Sequence, residues 1–332
     1  MPATANVDAQ HCCQTGFEKD RLREAVRLWA FRLRFTAGWF WSVTKSNGTQ
    51  RRIASVMTAP LPVYDFDASR SRFAYAWRDL TLAIAKPHII VTIIANDIAN
   101  RYKGAALGAF WITLTTLATV SGLALLYGKI FGADIKTYFP YVTTGIITWG
   151  LMSTIINDGA NAFVAGASLF TQSSIPKAVL VFRIIGRALW ILMFKLIVLV
   201  AVFVFVGVAP SITSILKSLV GLSLLIWTGF FCSLALGPLS TRFRDFRQFV
   251  DTGLTFSFFA TPVFWHADRL GEYAYLLHYN PFYHFLNIVR GPLINASDVN
   301  ISFVWAFGMA AVATVVGWVV YGNFARRLPY WC

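Results

Sequence analysis

The stretch RFRDFR, Arg242 to Arg247, lies between an apolar run that ends at Leu239 and another that begins at Phe249. Four of its six residues are charged, and an Arg or Asp side chain at the centre of a membrane helix costs about 2.5 to 3.5 kcal/mol. This segment is therefore expected at a membrane face. Short loops rich in Lys and Arg stay on the cytoplasmic side, so this loop sets the direction of every span before and after it.

The composition agrees with a membrane protein. Of the 332 residues, 57% are hydrophobic and 13% are charged, whereas a soluble domain has about 25% charged residues. The net charge of +14 is concentrated in loops and in the N-terminal part, which indicates topology and anionic lipid rather than nucleic acid. The spacing of the four cysteines predicts neither a disulfide framework nor a zinc site; they are Cys12, Cys13, Cys232 and Cys332.

Residues 1–70 are predicted to form a basic cytoplasmic tail, because they contain no apolar run of 18 residues. Within this tail, the segment Arg21 to Trp41 mixes arginines with large apolar side chains. A membrane-surface amphipathic helix and a poorly ordered leader both fit this pattern. Met57 is an alternative start, since a conventional short cytoplasmic lead-in follows it.

Residues 71–103 are predicted to form an amphipathic interface region on the cytoplasmic surface. Charged residues interrupt this segment, and its apolar run from Ile89 to Ile94 is too short to cross about 30 Å of hydrocarbon. Arg101, Tyr102 and Lys103 follow at the edge of the first span. They are interpreted either as an anchor on lipid headgroups or as a contact for an anionic substrate.

Residues 104–331 are predicted to form an all-α transmembrane domain. Its six apolar segments are long enough, or nearly so, to cross the bilayer at 1.5 Å per residue. An even number of spans places both termini on one side, and the Lys and Arg bias assigns that side to the cytoplasm. The predicted spans are Leu107 to Phe131, Pro140 to Phe163, Ile184 to Val208, Ile212 to Leu239, Phe249 to Trp265 and Phe303 to Phe324.

The loop between spans two and three, GASLFTQSSIPKAVLVFR, predicts a short helix, a break at Pro176 and a new helix. It presents Leu169, Phe170 and Ile175 on the cytoplasmic side. Two interpretations stay open here. The apolar side chains dock into a groove on a partner protein, or they pack as a turn on their own helix bundle.

The long loop His266 to Ile301 contains two short amphipathic stretches, broken at Asn280-Pro281 and at Gly291-Pro292. Irregular backbone at membrane depth is tolerated where protein buries it. The pattern therefore predicts an outer re-entrant segment between spans five and six.

Several chemical motifs are missing, among them the phosphate loop GxxxxGK[ST], HExxH, CxxC and GxSxG. Asp158, Asp251 and Lys195 fall within predicted spans, where ionisable groups are functional candidates. Lys195 is interpreted either as part of a water-filled pathway or as a structural pair or snorkelling side chain. Aromatic side chains in the spans offer flat apolar surfaces for a sugar conduit, or serve as ordinary lipid-facing and core residues.

Four segments together resemble a known family. RYKGAALGAFW, SLFTQSSIPKAVL, GPLSTRFRDFRQFVDTGLTFSFFATPVFW and NPFYHFLNIVRGPL occur in that order between about residues 85 and 330. They are similar to the entry segment, the coupling loop, the RFRD loop with span five, and the outer segment of type-two ABC exporter permeases. The resemblance is to those that export polysaccharides such as O-antigen, capsule and teichoic acid.

The resemblance implies a permease subunit without enzymatic activity, located in the bacterial inner membrane. Two copies would form a channel for a lipid-linked glycan, and two copies of a separate nucleotide-binding subunit would bind ATP and Mg. This chain would then hold no catalytic residue, cofactor or metal.

The predicted functional residues fall into five groups. They are the ATPase-coupling loop (Ser168, Leu169, Phe170, Ile175, Pro176, Lys177), the cytoplasmic entrance (Arg101, Tyr102, Lys103), the charge loop (Arg242, Arg244, Asp245, Arg247), the translocation path (Trp111, Lys195, Phe256, Phe259) and the outer segment (Asn280, Pro281, Arg290).

Two other functions remain open at this point. An exporter of a drug or small lipid would share the fold. The sequence does not exclude this function, because none of these residues specifically recognises a sugar. A membrane-embedded glycosyl- or acyltransferase would need carboxylates or histidines clustered at one face, and the five histidines form no such cluster at helical spacing.

Overall fold

The structure is a computed structural model that describes residues 71–172, 175–296 and 299–331, and within these ranges the chain forms helices joined by turns and irregular segments, without a strand. The basic tail 1–70, with its predicted amphipathic helix Arg21 to Trp41, lies outside the described residues.

Twelve α-helices and two 3₁₀ segments make up the described part. The α-helices are α1 Arg72–Ala85, α2 Pro87–Tyr102, α3 Phe110–Phe131, α4 Ile135–Ala160, α5 Ala162–Ala165, α6 Ala167–Gln172, α7 Val179–Val206, α8 Ile212–Arg242, α9 Phe246–Ala260, α10 Pro281–Arg290, α11 Val299–Phe324 and α12 Leu328–Trp331; the 3₁₀ segments are Ala267–Tyr279 and Gly291–Ile294.

Five of the described helices are long and apolar enough to cross a membrane: α3, α4, α7, α8 and α11. The number rises to six when the bent pair α1 and α2 is taken as one span. The prediction of an all-α, polytopic membrane protein is confirmed.

The fifth predicted span, Phe249 to Trp265, differs from the observed helix. Helix α9 has 15 residues and ends at Ala260, which gives it a length of about 22 Å at 1.5 Å per residue. Pro262 follows the helix end, and a proline has no N–H and clashes with the carbonyl four residues earlier. Residues 261–265 therefore leave the helix although their composition stays apolar.

Helices α1 and α2 meet at an angle of 73°. The bend lies at Lys86, whose φ of −118° and ψ of 59° are not helical. Because Pro87 follows, the α conformation is disfavoured at Lys86, while a proline at the first position of α2 is well tolerated.

Helix α4 is the centre of the bundle. In its 18-residue apolar window 67% of residues are buried, against 17 to 22% in α3, α7 and α11. The main core packs Ile155 of α4 against Leu225 of α8, Leu286 of α10 and Ala306 of α11. The outer helices leave broad apolar faces uncovered, as expected for surfaces that contact lipid.

Gly317 allows close contact between α11 and α8. An alanine Cβ at this position would lie 2.4 Å from the backbone oxygen of Phe231, whereas at Gly308 on the same helix no atom lies within 4 Å. We expect Gly317→Ala to lower the free energy of unfolding by about 1 to 3 kcal/mol. The matched Gly308→Ala should leave it unchanged or raise it by up to about 1 kcal/mol.

Denaturant unfolding in detergent micelles measures both glycine variants. Equal stability of the two would contradict the close approach of α8 and α11.

Candidate functional site

The predicted coupling loop is partly anchored to the bundle. Leu169 packs beside the core cluster that contains Phe163 and Leu180, and Ile175 packs beside Ala83 and Val179. Ser168 is exposed, Pro176 and Lys177 are buried, and the side chain of Phe170 lies outside the described residues. The loop thus combines an exposed face in α6 with a buried Pro-Lys step before α7.

Asp79 of α1 holds the start of α7 in place. Its carboxylate accepts the backbone N–H of Lys177 at 3.0 Å and that of Ala178 at 2.8 Å. It also accepts the Tyr321 hydroxyl at 2.5 Å. The side chain is only 1% exposed, and a carboxylate at a helix N-terminus is favoured by both the free N–H groups and the helix dipole.

The ammonium of Lys177 adds two hydrogen bonds beside Asp79. It donates to the Tyr75 hydroxyl at 3.1 Å and to the Ala325 carbonyl at 2.7 Å. Burial, followed by the negative charge of Asp79, raises the pKa of the Tyr75 phenol to about 12. Tyr75 belongs to α1, outside the five long apolar helices.

We call Tyr75, Asp79, Lys177 and Tyr321 the Asp79–Lys177 cluster. It joins α1, the end of the coupling loop and the C-terminal end of α11. Sequence analysis missed Asp79, although Ala76, Asp79 and Ala83 are spaced three and four residues apart and share one buried helix face.

A second polar region lies between α4, α7 and α9, where a cavity of about 460 Å³ opens. Asp158 on its wall binds Arg187 at 2.7 Å, and Asp251 accepts the Asn157 amide at 2.9 Å. Two carboxylates that the sequence places in different spans therefore share one cavity. We call it the polar cavity.

The three predicted entrance residues adopt different positions. Arg101 lines the polar cavity, Tyr102 packs on Trp190 with ring centroids 5.4 Å apart, and Lys103 is exposed. Just before them, Asp97 forms a two-point ion pair with Arg183 of α7. This pair fixes α2 against α7 beside the cavity.

The path candidates are only partly brought together. Phe259 lines the polar cavity and is 64% exposed, while Phe256 on the same helix is 75% exposed and Trp111 is 47% exposed. Lys195 is half-buried in α7. Its Nζ lies 2.7 Å from the position that a Cβ on Gly150 would take. Within the described ranges, its ammonium forms no ion pair.

The charge loop is the turn between α8 and α9. Arg242 ends α8 and lies over the Phe243 and Trp331 rings. Asp245 precedes the first residue of α9, and Arg244 and Arg247 line another cavity, separate from the polar cavity.

Arg290 of the outer segment and two tyrosines of α4 donate hydrogen bonds to the irregular backbone after α9. Arg290 donates to the Pro262 carbonyl at 2.8 Å and lies 3.9 Å from the centroid of the Tyr141 ring. Tyr138 donates to the Phe264 carbonyl at 2.5 Å, and Tyr141 donates to the Trp265 carbonyl at 2.8 Å. These bonds satisfy carbonyls that lipid could not.

The predicted break at Asn280-Pro281 is the start of α10. Pro281 is its first residue, and Asn280 caps it by accepting the Phe282 N–H at 2.9 Å. The Asn280 amide also donates to Thr261 Oγ1 at 2.9 Å. One asparagine thus connects the two irregular stretches.

No three His, Cys, Asp or Glu side chains in the described ranges lie close enough together to hold a metal ion.

Long apolar helices form the bundle, and the polar cavity opens between α2, α4, α7 and α9. The chain belongs to the ABC-2 type transporter family, whose model matches residues 89–294. It is therefore a multi-pass membrane protein and a transport subunit, and the family implies partnership with an ABC ATPase subunit. The resemblance noted from the four sequence segments is confirmed.

The chain is also similar to individual permeases. Two O-antigen export system permease proteins RfbA from Klebsiella pneumoniae are 24% identical over 245 residues and 21% identical over 246 residues, in both cases covering 72% of this chain and 93% of the relative. An O-antigen export system permease protein RfbA from Myxococcus xanthus is 24% identical over 184 residues, which cover 55% of this chain and 70% of the relative.

Proposed function

We propose that this chain is the permease subunit of an ATP-driven exporter that moves a lipid-linked polysaccharide across the bacterial cytoplasmic membrane. The observation that carries the proposal is its similarity, over 72% of its length, to permeases named for O-antigen export. The sequence has no phosphate loop, so binding of ATP and Mg is assigned to two copies of the partner ATPase.

Both termini are assigned to the cytoplasm, with the charge loop and the coupling loop on the same side. This orientation counts α9 with residues 261–265 as one crossing and leaves α1 and α2 on the cytoplasmic surface. The excess of Lys and Arg in these segments supports this orientation.

The polar cavity is proposed as part of the cytoplasmic entrance. Arg101 lines it, and Lys103 lies exposed two residues further on. Cationic side chains at this point would meet the pyrophosphate of a lipid-linked glycan through charge-assisted hydrogen bonds.

The sugar path is proposed to run between two copies of the chain. Trp111, Phe256 and Phe259 are large aromatic residues that one copy leaves exposed. An aromatic face offers apolar contact area without strong hydrogen bonds that would hold a moving glycan in place. Lys195 is assigned to the water-filled side of this path, because its ammonium has no ion pair in the described part of the chain.

The Asp79–Lys177 cluster is proposed to transmit the movement of the ATPase. Ser168 and its neighbours in α6 would contact the partner, while Lys177 is fixed to α1 and to Ala325, which directly follows α11. A displacement of the coupling loop would therefore move α1 and α11 together with α7.

A separate, apolar cavity favours a different cargo for a transporter of the same fold. It measures about 780 Å³ between α4, α8, α10 and α11, and its lining is almost wholly apolar. An exporter of a small lipid or apolar drug would use such a space.

Transport into proteoliposomes distinguishes the two cargoes. The chain is reconstituted with its ABC ATPase subunit and given either a lipid-linked polysaccharide or a fluorescent short-chain phospholipid. We expect ATP-dependent movement of the polysaccharide, measured with a membrane-impermeant lectin. Movement of the phospholipid alone would replace the proposal with the small-lipid exporter.

A further inference from the structure

A cavity of about 360 Å³ lies where the end of α4, the α8–α9 turn and α12 meet. Its polar lining comes from Asn161, Ser240, Thr241, Arg244 and Arg247. We call it the arginine cavity. It is separate from the polar cavity, and none of the roles described above uses it.

The charge of this cavity is not balanced by the described residues. Arg244 and Arg247 are both exposed, and neither has a recorded ion pair or side-chain hydrogen bond within the described ranges. Asp245 lies between them in the sequence but does not line the cavity. The neighbouring Arg242 lies against aromatic rings instead. Two guanidinium groups are therefore available to one anion.

Ser240 provides an independent indication of a ligand. The residue is 4% exposed, and in the described structure its hydroxyl is buried without a hydrogen-bond partner. Buried hydroxyls nearly always have a partner, because burial without one costs free energy. The adjacent Thr241 differs, since its hydroxyl donates to the Gly237 carbonyl at 2.9 Å.

We propose that the arginine cavity binds a phosphate group. Guanidinium groups match phosphate oxygens in charge and in planar geometry, and Ser240 and Asn161 add a hydroxyl and an amide to the cavity lining. The phosphate belongs either to an anionic lipid headgroup or to a free phosphate compound. Because Ala167 of α6 also lines the cavity, the bound group lies beside the coupling loop.

Binding of inorganic phosphate to the purified full chain in detergent is the first test. Isothermal titration calorimetry at constant ionic strength should show saturable binding that is at least tenfold weaker in Arg244→Gln/Arg247→Gln. Ser240→Ala should weaken binding severalfold. Arg327→Gln removes an exposed arginine from the same end of the bundle and should bind as the unmodified chain does.

Nanodiscs separate the two sources of phosphate. Native mass spectrometry of the chain released from phosphatidylglycerol nanodiscs should show retained lipid if a headgroup is the ligand, and the double variant should lose it. Phosphate binding without lipid retention assigns the site to a free phosphate compound. The proposal is overturned if phosphate binding and lipid retention are both absent, or if Arg327→Gln weakens binding as much as the double variant does. Melting temperatures confirm that each variant is folded.

Discussion

Replacing Asp79 with alanine should reduce the amount of glycan exported per ATP hydrolysed to less than about a tenth. The substitution removes the acceptor for the N–H groups of Lys177 and Ala178 and for the Tyr321 hydroxyl. Each buried donor left unsatisfied costs about 1 to 3 kcal/mol, so the free energy of unfolding should fall by about 3 kcal/mol or more. The coupling loop is then held to α1 and to the end of α11 only by the Lys177 ammonium, so its displacement moves them much less.

Two measurements separate coupling from stability in the Asp79→Ala variant. Hydrolysis by the assembled complex and glycan movement are measured in the same proteoliposomes, and denaturant unfolding is measured on the chain alone. Glu272→Ala is the control, because Glu272 is exposed in the outer segment. An unchanged ratio of export to hydrolysis in Asp79→Ala would contradict the role proposed for the Asp79–Lys177 cluster.

Tyr138→Phe/Tyr141→Phe should lower the free energy of unfolding by about 2 to 6 kcal/mol. Phenylalanine keeps the ring and its volume, so the variant removes only the two hydroxyl donors. The carbonyls of Phe264 and Trp265 then lose the partners described above, and each loss costs about 1 to 3 kcal/mol. The Tyr141 ring can still face Arg290, because phenylalanine preserves the aromatic surface.

The matched control for the tyrosine pair is Tyr279→Phe, since Tyr279 is 77% exposed and has no hydrogen bond recorded in the described structure. Unfolding of both proteins by denaturant in the same detergent gives the comparison. An equally small decrease in the free energy of unfolding in both variants would mean that the backbone after α9 does not depend on these hydroxyls.

The sequence predicts the helices correctly where the length of an apolar run determines the structure. The runs ending at Phe131, Leu239 and Phe324 predicted three helices that the structure contains as α3, α8 and α11. The end of α9 could not be predicted from the apolar run. Hydropathy stays high through Pro262 and Phe264, and only the missing N–H of the proline and the donors from other helices show that the backbone leaves the helix.

The candidate site was harder to predict, because its members are far apart in the chain. Asp79 accepts from Lys177 and Tyr321, which are 98 and 242 positions away. The spacing from Ala76 and Ala83 places Asp79 on the small-residue face of α1, but nothing local shows which donors its carboxylate accepts. Arg101 and Phe259 were predicted by family resemblance, whereas their common cavity with Asp158 and Asp251 required the tertiary structure.

The central claim is that this chain is a passive permease whose energy comes from a partner. ATP hydrolysis by the purified chain, by the ATPase subunit and by their complex tests this most directly. We expect no hydrolysis by the chain alone, and glycan movement only by the complex with ATP. Hydrolysis of ATP by the chain without its partner would contradict the account.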